Sequence, residues 1–272
     1  MTALATPRRP SASAAHCHRI DALAQSPRPA GTVPLARALS KLGLASRGQT
    51  LEWIAAGRLA VNGRICRNPD LRVVPERDRF ALDGVTLARQ QRFCVLLHKP
   101  RGYVTTRSDE KGRKTVFDLL PASLQQLHAV GRLDMHTSGL LLLTNDTRLS
   151  SYLTDPANGV PREYAVSVEG KVEAASLQRL REGIEDKGEL LQAAAVRVRK
   201  LSGRESHLFV TLQEGRNREV RRLFDAIGHP VTKLKRIAFG PLLLGELASG
   251  TYRELDAAEV DALQHAGAAA KY

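Results

Sequence analysis

Apolar positions first fall into register at Leu35, Ala38, Leu39 and Leu42, a spacing that turns one helical face towards a core, and Gly43 follows as a helix stop. Ser46 and Gln49 then stand at capping-box spacing, Leu51, Ile54 and Ala55 form a second apolar face, and Gly57 ends it. Two short helices are predicted. Residues 59–61 and 64–66 flank Asn62-Gly63, the pair that best accepts the positive φ angles of a two-residue hairpin turn. The first folded unit, residues 33–85, therefore reads helix, helix, hairpin.

Beyond a polar linker over 86–92, β-like and helical runs interleave irregularly to about residue 265. Strands are predicted over 93–97, 129–133, 140–143, 164–168, 195–198 and 208–212, and helices near 177–180, 219–227 and 256–263. Such interleaving predicts a mixed α+β domain over 93–265, not a regular βαβ series. Residues 1–32 are rich in Ala, Ser, Pro and Arg and poor in large apolar groups, so a disordered basic tail is expected there, and 266–272 form a second tail. Arg8, Arg9, Arg19 and Arg28 against the lone acid Asp21 also suit an organellar targeting segment, but Ala and Arg are abundant along the whole chain.

Charge narrows the partners. The 41 Lys and Arg outnumber the 28 Asp and Glu, giving a formal net charge of +13, which favours a polyanion, either nucleic acid or an anionic membrane surface. No run approaches the ~18 apolar residues of a membrane helix. Cys17, Cys66 and Cys94 are too scattered for a disulfide framework or zinc site, and His16-Cys17-His18 lacks ligand spacing, so no metal and a reducing cytosol are expected. A phosphate loop ending in Lys-Ser or Lys-Thr, a nucleophile elbow and a His-Glu-x-x-His pair are all absent. No cofactor is expected.

Three groups of residues could carry function. The polar positions of the small unit bear Arg37, Lys41, Arg47, Arg58, Arg64 and Arg67, either a solvated basic face or an RNA surface. In the larger unit, an apolar strand is predicted to end at Asp134, turn through Ser138-Gly139 and re-enter the core as Leu140 to Leu143; Asp134 is then either a turn cap or a rigidly held functional carboxylate. Asp146 suits a helix cap before residues 147–153. Further on, Val220, Leu223, Phe224 and Ile227 share a helical face and Gly228-His229-Pro230 stops it; Arg218 and Arg222 project oppositely, while Arg221 flanks the buried face and would need a partner.

The order of elements in residues 33–83, with Ser46-Arg47, Ala56-Gly57-Arg58 and Val61-Asn62-Gly63, resembles the ribosomal-protein-S-four type (alpha-L) RNA-binding module. The run from Gly131 to Gly139 resembles the signature of RNA pseudouridine synthases of the RsuA/RluB type. Three more segments resemble that family's motifs in order: Lys99-Pro100-Arg101-Gly102, Arg162-Glu163-Tyr164-Ala165-Val166, and Glu214 to Phe224. Together the resemblances span residues 33–255. They imply a mixed, mostly antiparallel catalytic sheet and a cofactor-independent isomerase that converts uridine in ribosomal RNA, or in an assembly intermediate, to pseudouridine.

By residue, the resemblance implies Asp134 as nucleophile, Arg221 as its paired arginine and Tyr164 as the ring stacked on a flipped base. Arg132, Arg162, Arg218, Arg222 and Lys99, together with Arg37, Lys41, Arg47, Arg58 and Arg64 of the module, would contact RNA. His98 stands where relatives often carry Asn, and His136 falls at a variable turn position, so neither is given a chemical role. The strings around Tyr164 and 214–222 point to large-subunit rRNA; small-subunit rRNA and a non-catalytic RNA-binding assembly factor are the alternatives. A cytoplasmic monomer without membrane contact is expected.

Overall fold

A computed structural model of the chain describes residues 31–88 and 92–267. The expected N-terminal tail, with Arg8, Arg9, Arg19, Arg28 and the His16-Cys17-His18 cluster, falls outside the described residues apart from its last two positions.

The first unit contains β1 (Val33–Pro34), α1 (Leu35–Leu42), α2 (Arg47–Ala55), β2 (Leu59–Val61), β3 (Arg64–Ile65), β4 (Arg72–Val73), β5 (Phe80–Leu82) and β6 (Val85–Thr86). Gly43 ends α1 at φ 69°, and Ser46 and Gln49 exchange the two bonds of a capping box ahead of α2. Asn62 and Gly63 adopt φ 51° and 79°, the two positive values that the β2–β3 turn requires. Leu35, Ala38, Leu39, Ile54, Leu59 and Phe80 close a small core, and Leu87 packs against it, so the unit reaches into the expected linker.

The second unit follows as β7 (Cys94–Lys99), β8 (His128–Ala129), β9 (Ser138–Thr144), α3 (Thr147–Thr154), β10 (Arg162–Glu169), α4 (Ala174–Glu182), β11 (Ile184–Asp186), β12 (Glu189–Leu191), β13 (Ala195–Lys200), β14 (Glu205–Leu212), α5 (Glu219–Asp225), β15 (Val231–Phe239), β16 (Leu242–Leu243), β17 (Tyr252–Glu254) and α6 (Ala257–Gln264). Asp146 caps α3 and Asp256 caps α6 through side-chain bonds. The main sheet runs β13-β14-β10-β15-β9-β7-β17, with β16 and β8 alongside. All its pairings are antiparallel except β15 with β9, which meet in parallel over only two residue pairs, Lys235 with Ser138 and Arg236 with Gly139.

Burial on both faces explains the leucine run. Leu140 and Leu142 pack with Leu96, α3 and α6, whereas Leu141 and Leu143 pack on the opposite side with Val95, Leu97, Val116 and Phe117. All four leucines are fully buried, and a strand covered on both faces needs no polar alternation. Each such side chain contributes roughly 1.5–3 kcal/mol of gross burial, so β9 is firmly anchored just beyond Asp134.

Two expectations need correction. The strand predicted over 129–133 ends at Ala129, and residues 130–137 form a loop and turn, because Leu133 and Asp134 bond to side chains and turn groups instead of a neighbouring strand. The predicted C-terminal tail also starts too early: the Gly267 N–H donates to the Tyr152 hydroxyl, and Ala266 is buried.

Candidate active site

Asp134 owes its position to the segment 99–105. Lys99 is fully buried at the end of β7, and its Nζ donates to the carbonyls of Asp134 (3.1 Å), Thr137 (2.8 Å) and Pro100 (3.0 Å). Gly102 N–H donates to Met135 O, and Thr105 Oγ1 to Leu133 O. Thr137 N–H closes the turn on Asp134 O at 3.0 Å. Main-chain groups on both sides of the carboxylate are therefore fixed by short bonds, the kind of pre-organisation that saves ordering at the moment of reaction. Burial lowers the Lys99 pKa to about 8, opposed by the nearby Asp134 charge.

Gly139 sets the other end of the loop. Its φ is 111°, and a Cβ there would meet Arg236 O at 2.1 Å and Arg236 N at 2.6 Å. Only glycine lets β9 and β15 approach at the parallel seam.

Beside this seam lies an open cleft of ≈ 290 Å³ lined by Asp134, Arg132, Tyr164, Arg218 and, deeper, Arg162 and Arg236. This is near the lower end of the ~300–1,000 Å³ range of ligand pockets. Opposite residues of an antiparallel pair share a face, so the pairing of Arg162 with Leu212 and Phe239, and of Tyr164 with Arg236, sets those side chains together. Arg218 occupies the left-handed region at φ 50° just before α5, and its guanidinium lies 3.8 Å from the Asp134 carboxylate. An arginine held in that sparsely populated conformation at a cleft marks a strained position of the kind that clusters at functional sites.

The residues expected to act on RNA separate on inspection. Arg132 and Arg218 are exposed at the cleft, and Arg37, Lys41, Arg47 and Arg64 are exposed on the first unit. Arg58 is also exposed, but its fork is occupied by Asp83. Three expectations are corrected. Lys99 has no surface from which to reach RNA. Arg162 is 4% exposed, donates to Gln213 O and Leu153 O, and stacks on Phe239. Arg222 is committed to Asp186 and Glu189, which ties α5 to the β11–β12 hairpin.

The expected pairing of Arg221 with Asp134 is also corrected, in favour of Arg218. Arg221 donates to Val231 O (3.1 Å) and His136 O (3.2 Å), so it braces the turn after Asp134. Burial depresses its pKa, and the Asp134 charge acts in the opposite direction.

Sequence reasoning missed Arg236 and Glu219 as cleft residues. Arg236 lies on β15, where a cation at an inward-facing position was a legible signal once the strand was known. Glu219 is buried at the start of α5, and desolvation pushes its carboxyl up to about 7. Its Oε2 accepts from Arg216 N–H, and the adjoining Glu214 carboxyl raises its pKa further. Among the described residues, no group of His, Cys, Asp or Glu has the arrangement to hold a metal, and no helix is long and apolar enough to cross a membrane.

A small helical and hairpin module ahead of a mostly antiparallel sheet with a carboxylate in a basic cleft defines a modular RNA-acting class. The S4 domain matches residues 33–78, and the RNA pseudouridylate synthase family matches residues 94–226. The chain is 39% identical over 224 residues to an RNA pseudouridine synthase of Aquifex aeolicus, covering 82% of this chain and 90% of that protein. It is 36% identical over 232 residues to ribosomal large subunit pseudouridine synthase B of Bacillus subtilis, covering 85% and 95% respectively. A solved pseudouridylate synthase structure superposes with a TM-score of 0.60 at 29% identity, covering 84% of this chain and 97% of that one. The chain belongs to the RNA pseudouridine synthase family, in its RsuA/RluB branch, and is an isomerase of that type.

Proposed function

We propose that this protein converts a specific uridine of ribosomal RNA, in the large subunit, to pseudouridine, with Asp134 as nucleophile and no cofactor. The observation that supports the reading is the shared cleft: Asp134, backbone-locked by Lys99, lines it together with Tyr164 of β10, with Arg132 and Arg218 at the exposed side. A carboxylate can attack an electron-poor centre without a metal. A base inside a helix cannot reach it, so the nucleotide must be extruded; Tyr164 offers an aromatic face for stacking, and the exposed arginines offer donors for phosphate. Arg218 orients the carboxylate, and Arg221 acts through the turn at His136. The first unit docks the RNA through Arg37, Lys41, Arg47 and Arg64. The large-subunit assignment is supported by the name of the Bacillus subtilis relative.

Ribosomal RNA tritiated at carbon 5 of uridine tests the reading, because formation of the new C1′–C5 bond expels that hydrogen. Label should be released by the native chain and not by Asp134→Asn, while RNA affinity changes little. Absence of release from every rRNA, free or partly assembled, would sink the assignment. Mapping pseudouridines in cells with and without the protein identifies the position.

A further inference from the structure

The half of the main sheet built from β13, β14, β10 and β15 has a second face, turned away from the cleft. Burial alternates strictly along β14: Leu208, Val210 and Leu212 lie in the core under α4 and α5, while His207, Phe209 and Thr211 point the other way and keep exposed surface. An antiparallel sheet can leave one face to water, and polar side chains then ordinarily fill it. Here an aromatic ring stands in the middle. Of the six phenylalanines, Phe209 alone joins none of the hydrophobic cores.

Strand register supplies its neighbours. One row across the four strands reads Arg197, Phe209, Ala165 and Lys235, and the next reads Lys200, His207, Ser167 and Lys233. Opposite residues of an antiparallel pair share a face, so two rings on β14 stand between cations on β13 and β15, with small side chains on β10. Both rings are fixed. Arg197 stacks on Phe209 at 5.1 Å and donates to Glu163 at 2.5 Å, while Ser167 Oγ meets His207 Nδ1 at 2.8 Å and Glu205 lies 3.5 Å from Nε2. These two rows hold no carboxylate. Glu163, Glu169 and Glu205 border them, but Glu163 is taken by Arg197 and Glu205 accepts from Thr232 Oγ1, whereas Lys200, Lys233 and Lys235 form no ion pair among the described residues.

We propose that this face is a second RNA-binding surface, which takes a single-stranded segment with bases stacked on Phe209 and His207 and phosphates against Lys200, Lys233 and Lys235; it goes beyond the reading of the cleft and does not depend on it. Three strand spacings of ~4.8 Å give a width of about 14 Å, and a four-stranded sheet with rings at its centre stacks about two or three bases. The segment is single-stranded because a duplex keeps its bases stacked on one another and offers the rings only its backbone. It is nucleic acid instead of an acidic protein segment because Phe209, His207 and the Arg197 guanidinium present flat faces, which a nucleobase matches and a carboxylate does not. Tyr164 and Arg236 alternate with Ala165 and Lys235 and point to the cleft on the opposite side of the sheet. The RNA bound here is therefore not the target nucleotide but a stretch from elsewhere in the same substrate.

The test is photo-crosslinking of the full-length chain to a short oligouridine carrying 4-thiouridine, beside an RNA duplex of the same length, with the attached peptides mapped by mass spectrometry. The single strand should attach within β14 or β15, and the duplex should not. Titrating that attachment reads the affinity of this face alone. It should fall about 5–100-fold in Phe209→Leu, which keeps an apolar side chain but no ring. Lys233→Ala with Lys235→Ala should shrink the slope of log affinity against log salt by ~0.7 for each lysine. The lysine pair joins no core, so it carries the test should Phe209→Leu fail to fold. Attachment confined to the cleft and the first unit, equal attachment of the duplex, full competition by oligoglutamate of equal charge, or an affinity unmoved in folded Phe209→Leu or in the lysine pair would overturn the proposal. Attachment at this face with no release of tritium from any rRNA would overturn the reading of the cleft and leave this surface standing.

Discussion

The first unit and the cleft of the second use cations in opposite ways. On the first, Arg37, Lys41, Arg47 and Arg64 are exposed and none has an ion-pair partner among the described residues, so each behaves as an independent charge in high dielectric. Around the cleft, Lys99, Arg162 and Arg236 are buried, and their donors are spent largely on backbone carbonyls. The same residue types thus supply long-range attraction in one place and fixed geometry in the other. Substitutions in the first unit should therefore change affinity and salt dependence, while those at the cleft should change stability and rate.

The strongest break of this contrast is at the seam that holds the buried set. Gly139→Ala forces a Cβ to within 2.1 Å of Arg236 O at φ 111°, so the chain should lose about 4 kcal/mol or more, or fail to fold. Urea denaturation followed by circular dichroism measures it. Lys99→Met keeps the volume but abandons three carbonyls, and should cost about 2–4 kcal/mol. Its rate of conversion should drop further than its RNA affinity, because the Asp134 loop is loosened while the module is untouched.

The buried groups should also write themselves into the pH dependence of stability. Lys99 has a folded pKa of about 8, below its ordinary 10.5, so its burial penalty is full below pH 8 and is relieved as pH rises towards 10.5. Glu219 has a folded pKa of about 7, above its ordinary 4.5; its contribution is fully present below pH 4.5 and is lost as pH rises through 7. Glu219→Gln should flatten the stability profile between those values and, above about pH 8, run parallel to the native chain's at higher stability. An unchanged slope in denaturation series across pH 4–8 would show that Glu219 titrates as an ordinary surface acid.

Much of this contrast was invisible before folding. Local signals were legible where chemistry is local: the Ser46–Gln49 box, the Asn62-Gly63 turn and the Asp146 cap each determine a nearby bond. The cleft depends on contacts between segments far apart in sequence. Arg162 was expected to contact phosphate because its neighbour Tyr164 resembles a motif residue, yet it packs against Phe239, 77 positions on. Strand β15 escaped notice because Lys233, Lys235 and Arg236 interrupt its apolar alternation, and with it went the seam and Arg236. Arg218 and Arg221 differ by three positions on adjoining turns; only the left-handed residue before α5 directs the first of them to Asp134.

The mildest test sharpens the other half of the comparison. Arg37 and Lys41 are four residues apart on α1 and so project from one side of it. If both contact phosphate, Arg37→Ala with Lys41→Ala removes two counterion-release events, and the slope of log affinity against log salt should shrink by ~0.7–0.9 for each. The effect should be plain at low salt and fade as salt rises, while conversion at saturating RNA stays at the native rate. Filter binding across a salt series supplies the slope, and single-turnover kinetics supplies the rate. A pair of variants that slowed conversion without altering the slope would mean that the module positions the target base instead of attracting the RNA, and the division between attracting and positioning cations would no longer separate the first unit from the cleft.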